Sequence, residues 1–270
     1  GLRPLKILSL NAWGGKLHDV LMPYLRQTDP DVLCLQEMVH TPLATDDWLT
    51  YRDGDHVLPQ RARFFRDLCD TLPEHAAIFS PNAEGVLHGK DTEFASQFGL
   101  ATFIRRDIPV IGQATGFVHG VFSAHGYGEH PRPRNAHVVR LYDRQQNRVL
   151  TIGHMHGLRD LRGKMDTPQR KVQAQRFAEL LRSVTGPDDA LIACGDFNVE
   201  PGSITFEILG TLGLVDLVTT RGFTSTRTSH YVKQGRFADY MLANAAVDPR
   251  DFTVVTDPEV SDHCPLQLVT

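Results

Sequence analysis

The sequence predicts an α/β fold in which sheets are covered by helices. Short runs rich in Val, Ile and Leu recur along the whole chain, and helical periodicity lies between some of them. No break in composition divides the 270 residues, so one domain spanning 1–270 is the economical reading. A hydrophobic content of 41% against 22% charged residues is ample for a sizeable core.

The strand-like runs are, in order, "LKILSLN" (5–11), "DVLCLQE" (31–37), "AAIFS" (76–80), "FGLATFIRR" (98–106), "AHVVRLYD" (136–143), "RVLTIGHMH" (148–156), "ALIACGDFN" (190–198), "RFADYMLAN" (236–244), "FTVVTD" (252–257) and "CPLQLVT" (264–270). Between them, Leu17, Val20, Leu21, Tyr24 and Leu25 recur at helical spacing, and Pro23 should kink that helix or lie near its start. Phe64, Phe65, Leu68 and Leu72 line a second helix, and Phe177, Leu180, Leu181 and Val184 a third. Asp166 or Thr167 is expected to cap the third helix, with Pro168 in its first turn, and a short helix is expected after Ser203. Residues 38–62 and 119–135 read as long irregular segments, which in compact domains are often functional.

A formal charge of -4 creates no global field toward nucleic acid or anionic membrane. Nucleic acid is therefore not the favoured partner, although a local basic groove stays compatible with the sequence. Cys34, Cys69, Cys194 and Cys264 form no CxxC pair, which argues against a disulfide framework or cysteine zinc site and mildly favours a reducing compartment. No apolar stretch approaches the roughly 18 residues of a membrane span. The N-terminal "GLRPLKILSLN" has too short an apolar run for a signal peptide and lacks a myristoylation Ser/Thr. A cytoplasmic monomer is the expectation, with a removed leader as the alternative.

Polar residues interrupt the apolar runs at their ends. Asn11 ends the first, Gln36-Glu37 the second, His154-Met155-His156 the sixth and Asp196-Phe197-Asn198 the seventh. Asp239 interrupts "FADYMLAN", and Ser261-Asp262-His263 stands before the last strand. Asp196 and Asn198, two apart on extended backbone, would aim a carboxylate and a carboxamide one way, and the alternative is a turn in which they bond their own backbone. Burying any of these groups unpaired would cost about 1–3 kcal/mol, so a shared site explains them better than separate accidents. Glu37, Asp196, Asp239 and Asp262 with Asn11 and Asn198 form an oxygen-rich set suited to Mg²⁺ or Mn²⁺. His156 and His263 add groups that exchange protons near neutral pH.

"LSLNAWG", "DVLCLQE", "FGLATFIRRDIPV", "RNAHVVRL", "LIACGDFNVEPGS", "FADYMLAN" and "SDHCPL" together resemble the successive signatures of the endonuclease/exonuclease/phosphatase superfamily. The resemblance runs in order from Asn11 to the C-terminus. It implies a four-layer α/β/β/α sandwich, two packed mixed β-sheets flanked by helices, with the site at one end of the sheets. It implies a divalent-metal-dependent phosphoesterase, with Glu37 as principal Mg²⁺ ligand, Asn11 beside it and Asp262 close to the ion. Asp196 would activate the water, Asn198 would hold the nucleophile or a phosphate oxygen, and His263 would touch the phosphate, oriented by Asp239. Arg134 falls where some members grip phosphate. Either Asp196 or the Asp239–His263 pair acts as base, with one metal or two.

The family's usual "NTHL" is "GHMHGL" here, so the catalytic imidazole is His156 or His154; strand alternation favours His156 and leaves His154 for substrate phosphate. "HMH" also admits a His-x-His zinc reading, which leaves "LQE", "GDFN" and "SDH" unexplained. The expected substrate is a small-molecule or lipid-headgroup phosphomonoester or diester. The alternatives are a DNA or RNA nuclease of the same superfamily and a catalytically silent phosphate-binding module.

Overall fold

The computed structural model describes residues 3–270, so the expectations drawn from Gly1 and Leu2 lie outside the described residues. Two sheets stack face to face. With β5 at His75–His88, β11 at Val215–Asp216, β13 at Asp251–Val254, β14 at Leu266–Val269 and the other strands bounded below, the first has eight strands in the order β13-β14-β1-β2-β6-β5-β3-β4, and the second six in the order β11-β12-β10-β9-β8-β7. The strands that matter most below are β1 (Lys6–Asn11), β2 (Val32–His40), β6 (Glu93–Arg105), β8 (Arg134–Asp143), β9 (Arg148–His156), β10 (Ala190–Asp196) and β12 (Asp239–Ala243). Both sheets are mixed: β1 pairs parallel with β2, and β9 parallel with β10, among antiparallel neighbours.

Helices α1 (His18–Thr28) and α2 (Phe64–Thr71) cover the first sheet; α3 (Pro168–Val184), α4 (Ile204–Gly210) and α5 (Leu217–Thr220) cover the second. This is the expected α/β/β/α layering. Alternation along β1 and β2 explains it. Leu8, Leu10, Leu33 and Leu35 join Leu21, Leu25, Phe64 and Leu68 in the core under α1 and α2. Ile7, Val32 and Cys34 belong to the other core, with both sheets and α3. Strands buried on both faces read as continuous apolar runs, as these do. The same alternation carries Asn11 and Gln36, Cα partners in the β1/β2 ladder, onto the face toward the second sheet.

The cap of α3 is Thr167, whose side chain accepts from Arg170 N, and Pro168 follows; Ser203 caps α4. Pro23 lies inside α1. The segment 38–62 is not irregular: it holds the end of β2 and a hairpin of β3 (Trp48–Asp53) and β4 (His56–Arg61). These strands carry Asp, Arg and His on exposed edges, so they lack the apolar signal of a buried strand. β7 (Val110–His119), another edge strand, escapes the sequence reading because Gly112 and Gly116 interrupt its apolar residues.

Candidate active site

Register delivers the polar strand ends to one place. In the second sheet Asp196 of β10 is the Cα partner of His156 on β9 and of Asp239 on β12. These three residues stand abreast at the sheet's end. In the first sheet Asn11 ends β1 beside Gln36. The sheets are joined there by a buried hydrogen bond, Asn11 Nδ2 donating to Asp196 Oδ2 at 2.8 Å. The 261–263 segment closes the ring, with Ser261 Oγ donating to Asn11 O at 2.6 Å.

Asp196 Oδ2 is the centre of the cluster, 3.5 Å from His156 Nε2 and 3.7 Å from His263 Nε2. Its other oxygen accepts from Asn198 N at 3.1 Å. The turn reading is realised by Oδ1, while Oδ2 of the same carboxylate faces the cluster. β10 ends at Asp196, and Asn198 has φ +56°, so extended geometry does not place its side chain. The Asn198 amide instead donates to Gly157 O at 3.4 Å. Gly195 has φ +130°, and a Cβ there would lie 2.2 Å from Met155 O. Burial works against charge on Asp196, but the imidazoles of His263 and His156 and the Arg227 guanidinium outweigh it, holding its carboxyl below the usual carboxylate range.

His263 Nδ1 donates to both oxygens of Asp239, at 2.8 and 3.0 Å, which aims Nε2 at the cluster. Thr226 Oγ1 in turn accepts from the Ala238 and Asp239 amides. Burial opposes charge on His263, and the carboxylates of Asp239, Asp196 and Asp262 outweigh it, raising the pKa above the ordinary imidazole value. Arg227 works the other way: its Nη1 lies 2.7 Å from Nε2, a hydrogen bond only while that nitrogen keeps its lone pair.

Glu37 sits at a β-bulge. β2 pairs Leu35 with Ala101 and Met38 with Gly99, leaving Gln36 and Glu37 opposite one residue, and Glu37 has φ +53°. The bulge breaks the alternation that would turn Glu37 away from Gln36, and such strain in a non-glycine residue is common at functional sites. Burial lowers the Arg134 pKa, and the Glu37 and Asp196 carboxylates oppose it only in part, leaving it at about 10. Arg134 donates to Gly157 O and Pro133 O and is 6% exposed, so it is part of the wall rather than a solvated loop residue.

The donors suit a hard cation. No side chain among the described residues hydrogen-bonds the Glu37 carboxylate. Asn11 Oδ1 accepts from Trp13 N at 3.0 Å and keeps a second lone pair, and Asp262 contributes further oxygens. Among the described residues, Asp196, Asp239 and His263 have ligand atoms that all lie within 4.8 Å of one another. Two of them are committed to each other, so this trio is better described as a carboxylate beside a hydrogen-bonded dyad. Oxygen ligands with few imidazoles fit Mg²⁺ or Mn²⁺ rather than zinc.

His154 requires correction. It is 1% exposed and faces the layer between the sheets, where Nδ1 lies 3.0 Å from Gln36 Nε2 and Nε2 lies 2.9 Å from Thr102 Oγ1. Both ring nitrogens are occupied, so it has none to offer a phosphate, nor a zinc ion as half of a His-x-His pair. It shares a strand face with His156, but one step deeper.

With this geometry in place, comparison decides the family. The family model described as "Endonuclease/Exonuclease/phosphatase family" matches residues 8–263. The chain belongs to that family. Its members are hydrolases of phosphoesters and depend on divalent metals. Among solved structures, a family protein from Bacteroides thetaiotaomicron is 15% identical, covering 100% of this chain and 98% of its own, with a TM-score of 0.70. A mannosyl-6-phosphatase of the same organism is 16% identical over 98% of this chain and 99% of its own, with a TM-score of 0.67. The human Nocturnin catalytic domain with bound sulfate is 17% identical over 99% and 94%, with a TM-score of 0.61. At such identities these likenesses establish the fold. A comparison with curated protein sequences finds no match. Among the described residues, no helix is long and apolar enough to cross a membrane.

The sequence reading missed Arg227 and Thr226 as neighbours of this endonuclease/exonuclease/phosphatase site and gave Gln36 no role. Gln36 was visible as a polar residue within an apolar run. Arg227 and Thr226 lie in a polar stretch with no periodicity, and their one sequence cue is that the stretch leads into the strand carrying Asp239.

Proposed function

We propose that this protein hydrolyses the phosphoester of a small molecule or lipid headgroup by in-line attack of water, using Mg²⁺ or, in its place, Mn²⁺. The observation that carries the reading is the Asp196 Oδ2 atom, bonded to Asn11 from the opposite sheet and within 3.7 Å of two imidazole nitrogens. A carboxylate held ionised at such a point can orient a water and take its proton. His263, aimed by Asp239, donates from Nε2 to a phosphate oxygen; His156 stands 3.5 Å from the same Asp196 oxygen, and Asn198 follows on the turn that Asp196 closes. Arg134 supplies fixed positive charge to the wall. Glu37, Asn11 and Asp262 would hold the cation. When bound, it supplies positive charge that offsets the negative charge gathering on the phosphate oxygens. Attack is direct, since the nearest thiol, Cys264, is buried and its pKa is pushed up to about 12, chiefly by that burial.

The test is turnover with Mg²⁺, Mn²⁺ or EDTA on bis-p-nitrophenyl phosphate, nucleotides, sugar phosphates, phospholipid vesicles and plasmid DNA. Metal-dependent release of phosphate or alcohol is expected, falling by at least about a hundredfold in Asp196→Asn or His263→Ala. Unimpaired turnover in both variants removes the mechanism. Plasmid cutting with a steep salt dependence would move the substrate to nucleic acid. Some support for that second reading comes from the site's edge, where Trp13 lies 6.0 Å from the His230 ring and Lys16 sits 4.1 Å over the indole.

A further inference from the structure

Arg227 is nine-tenths buried, with 7% of its side chain exposed, yet the protein gives its guanidinium few acceptors. Nη1 reaches an imidazole nitrogen, His263 Nε2, at 2.7 Å. The nearest carboxylate oxygen, Asp262 Oδ2, is 3.7 Å away, beyond hydrogen-bond reach. Nε is buried with no partner. Buried Arg170 shares the unpartnered Nε, but its terminal nitrogens donate to the carbonyls of Gly163, Met165 and Leu158 and so fasten one loop, whereas Arg227 reaches no carbonyl among the described residues.

What holds Arg227 in place is backbone and stacking. It forms an isolated β-bridge with His263, flanked by Cys264 N donating to Thr226 O and Thr228 N donating to Asp262 O. Its guanidinium lies 3.7 Å from the centre of the Tyr231 ring, which covers one face of the plane. The edge of the fork is left pointing at His263 Nε2, the atom that faces Asp196. A planar, pre-positioned fork of unsatisfied donors is the geometry that grips phosphate through two oxygens.

We propose that Arg227 grips the substrate phosphate, exchanging His263 Nε2 for non-bridging oxygens, and thereby favours phosphomonoesters over phosphodiesters. The proposal rests on the hydrolase reading above and names its substrate class. A two-oxygen grip on a diester engages both of its non-bridging oxygens, so His263 and Arg134 would have to share oxygens that Arg227 already holds. A monoester has a third, together with a second negative charge. Binding the monoester therefore satisfies the buried donors without competition among the site's own groups.

The experiment compares wild type, Arg227→Lys and Arg227→Met on p-nitrophenyl phosphate and bis-p-nitrophenyl phosphate, with inorganic phosphate binding measured by calorimetry alongside. For Arg227→Met we expect kcat/KM to fall about a hundredfold on the monoester and less than about tenfold on the diester, with phosphate bound at least about tenfold more weakly. Arg227→Lys, which keeps charge but not the fork, should fall between, and it carries the test if the Met variant does not fold. Equal losses on the two esters overturn the preference. Unchanged phosphate affinity overturns the contact. Wild type inactive on every phosphoester would instead refute the hydrolase reading, and the phosphate titration would then decide Arg227 alone.

Discussion

Acid should loosen this protein through the layer between its sheets before it protonates most carboxylates. Gln36 Nε2 contacts Cys34 O at 3.4 Å as well as His154 Nδ1, and a carbonyl can only accept, so the Gln36 amide donates to His154. His154 then donates from Nε2 to Thr102 Oγ1, and Thr102 donates to His137 Nδ1 at 2.8 Å. His137 in turn donates from Nε2 to Gln113 Oε1 at 3.1 Å. This directional chain requires both imidazoles to be neutral. Burial drives the His137 pKa down to about 4, and burial with His137 nearby lowers that of His154 well below the ordinary value.

The sign follows directly. Unfolded, each histidine takes a proton near 6.5; folded, His137 resists until about 4, so the unfolded chain binds more protons between those values. The stability is whole above pH 6.5 and is lost as pH falls through that window. At about 1.36 kcal/mol per pH unit, His137 alone gives up about 2 kcal/mol by pH 5 and about 3 kcal/mol once pH is below its folded pKa. His154 adds in the same direction. Urea unfolding followed by fluorescence of Trp13 and Trp48, at steps from pH 7.5 to 5.0, measures the slope. His137→Gln, which cannot titrate, should flatten it by up to about 1.4 kcal/mol per pH unit. A wild-type stability that does not change between pH 6.5 and 5.0, or a slope unaltered in His137→Gln, would refute a neutral buried chain.

Two further outcomes follow from local geometry. Gly195→Ala places a Cβ 2.2 Å from Met155 O at φ +130°, and should cost at least about 3 kcal/mol or prevent folding; an unchanged melting temperature would count against the geometry of β10. Thr226→Val removes the acceptor for the Ala238 and Asp239 amides and should lower kcat about tenfold with KM little changed, because it acts on the alignment of Asp239 with His263; a rise in KM alone would place Thr226 against substrate instead.

Much of the site was legible because Asn11, Asp196, Asp239 and Asp262-His263 are polar residues at or beside apolar strands, where nothing in a core explains them. His156 was distinguishable from His154 only as a preference. Alternation puts both on one face, and the depth at which the two sheets meet decides that one reaches the cluster while the other is enclosed by Gln36 and Thr102. Asn198 was placed by an extended-strand argument that its φ of +56° does not support. The edge hairpin of β3 and β4 stayed hidden because a strand half in water carries little of the apolar pattern that marks a buried one.

By itself the sequence determined that sheets are covered by helices, most strands, the starts of α3 and α4, and which polar residues had to be accounted for. These are local matters, settled by period, propensity and the cost of burying unpaired groups. Only the tertiary structure decided which of those groups meet. Register sets Asp196 beside His156 and Asp239, the bulge re-aims Glu37, and a bridge between residues 36 apart in sequence brings Arg227 to His263. Such pairings depend on strand order and on the stacking of one sheet upon another, and no short window of sequence records them.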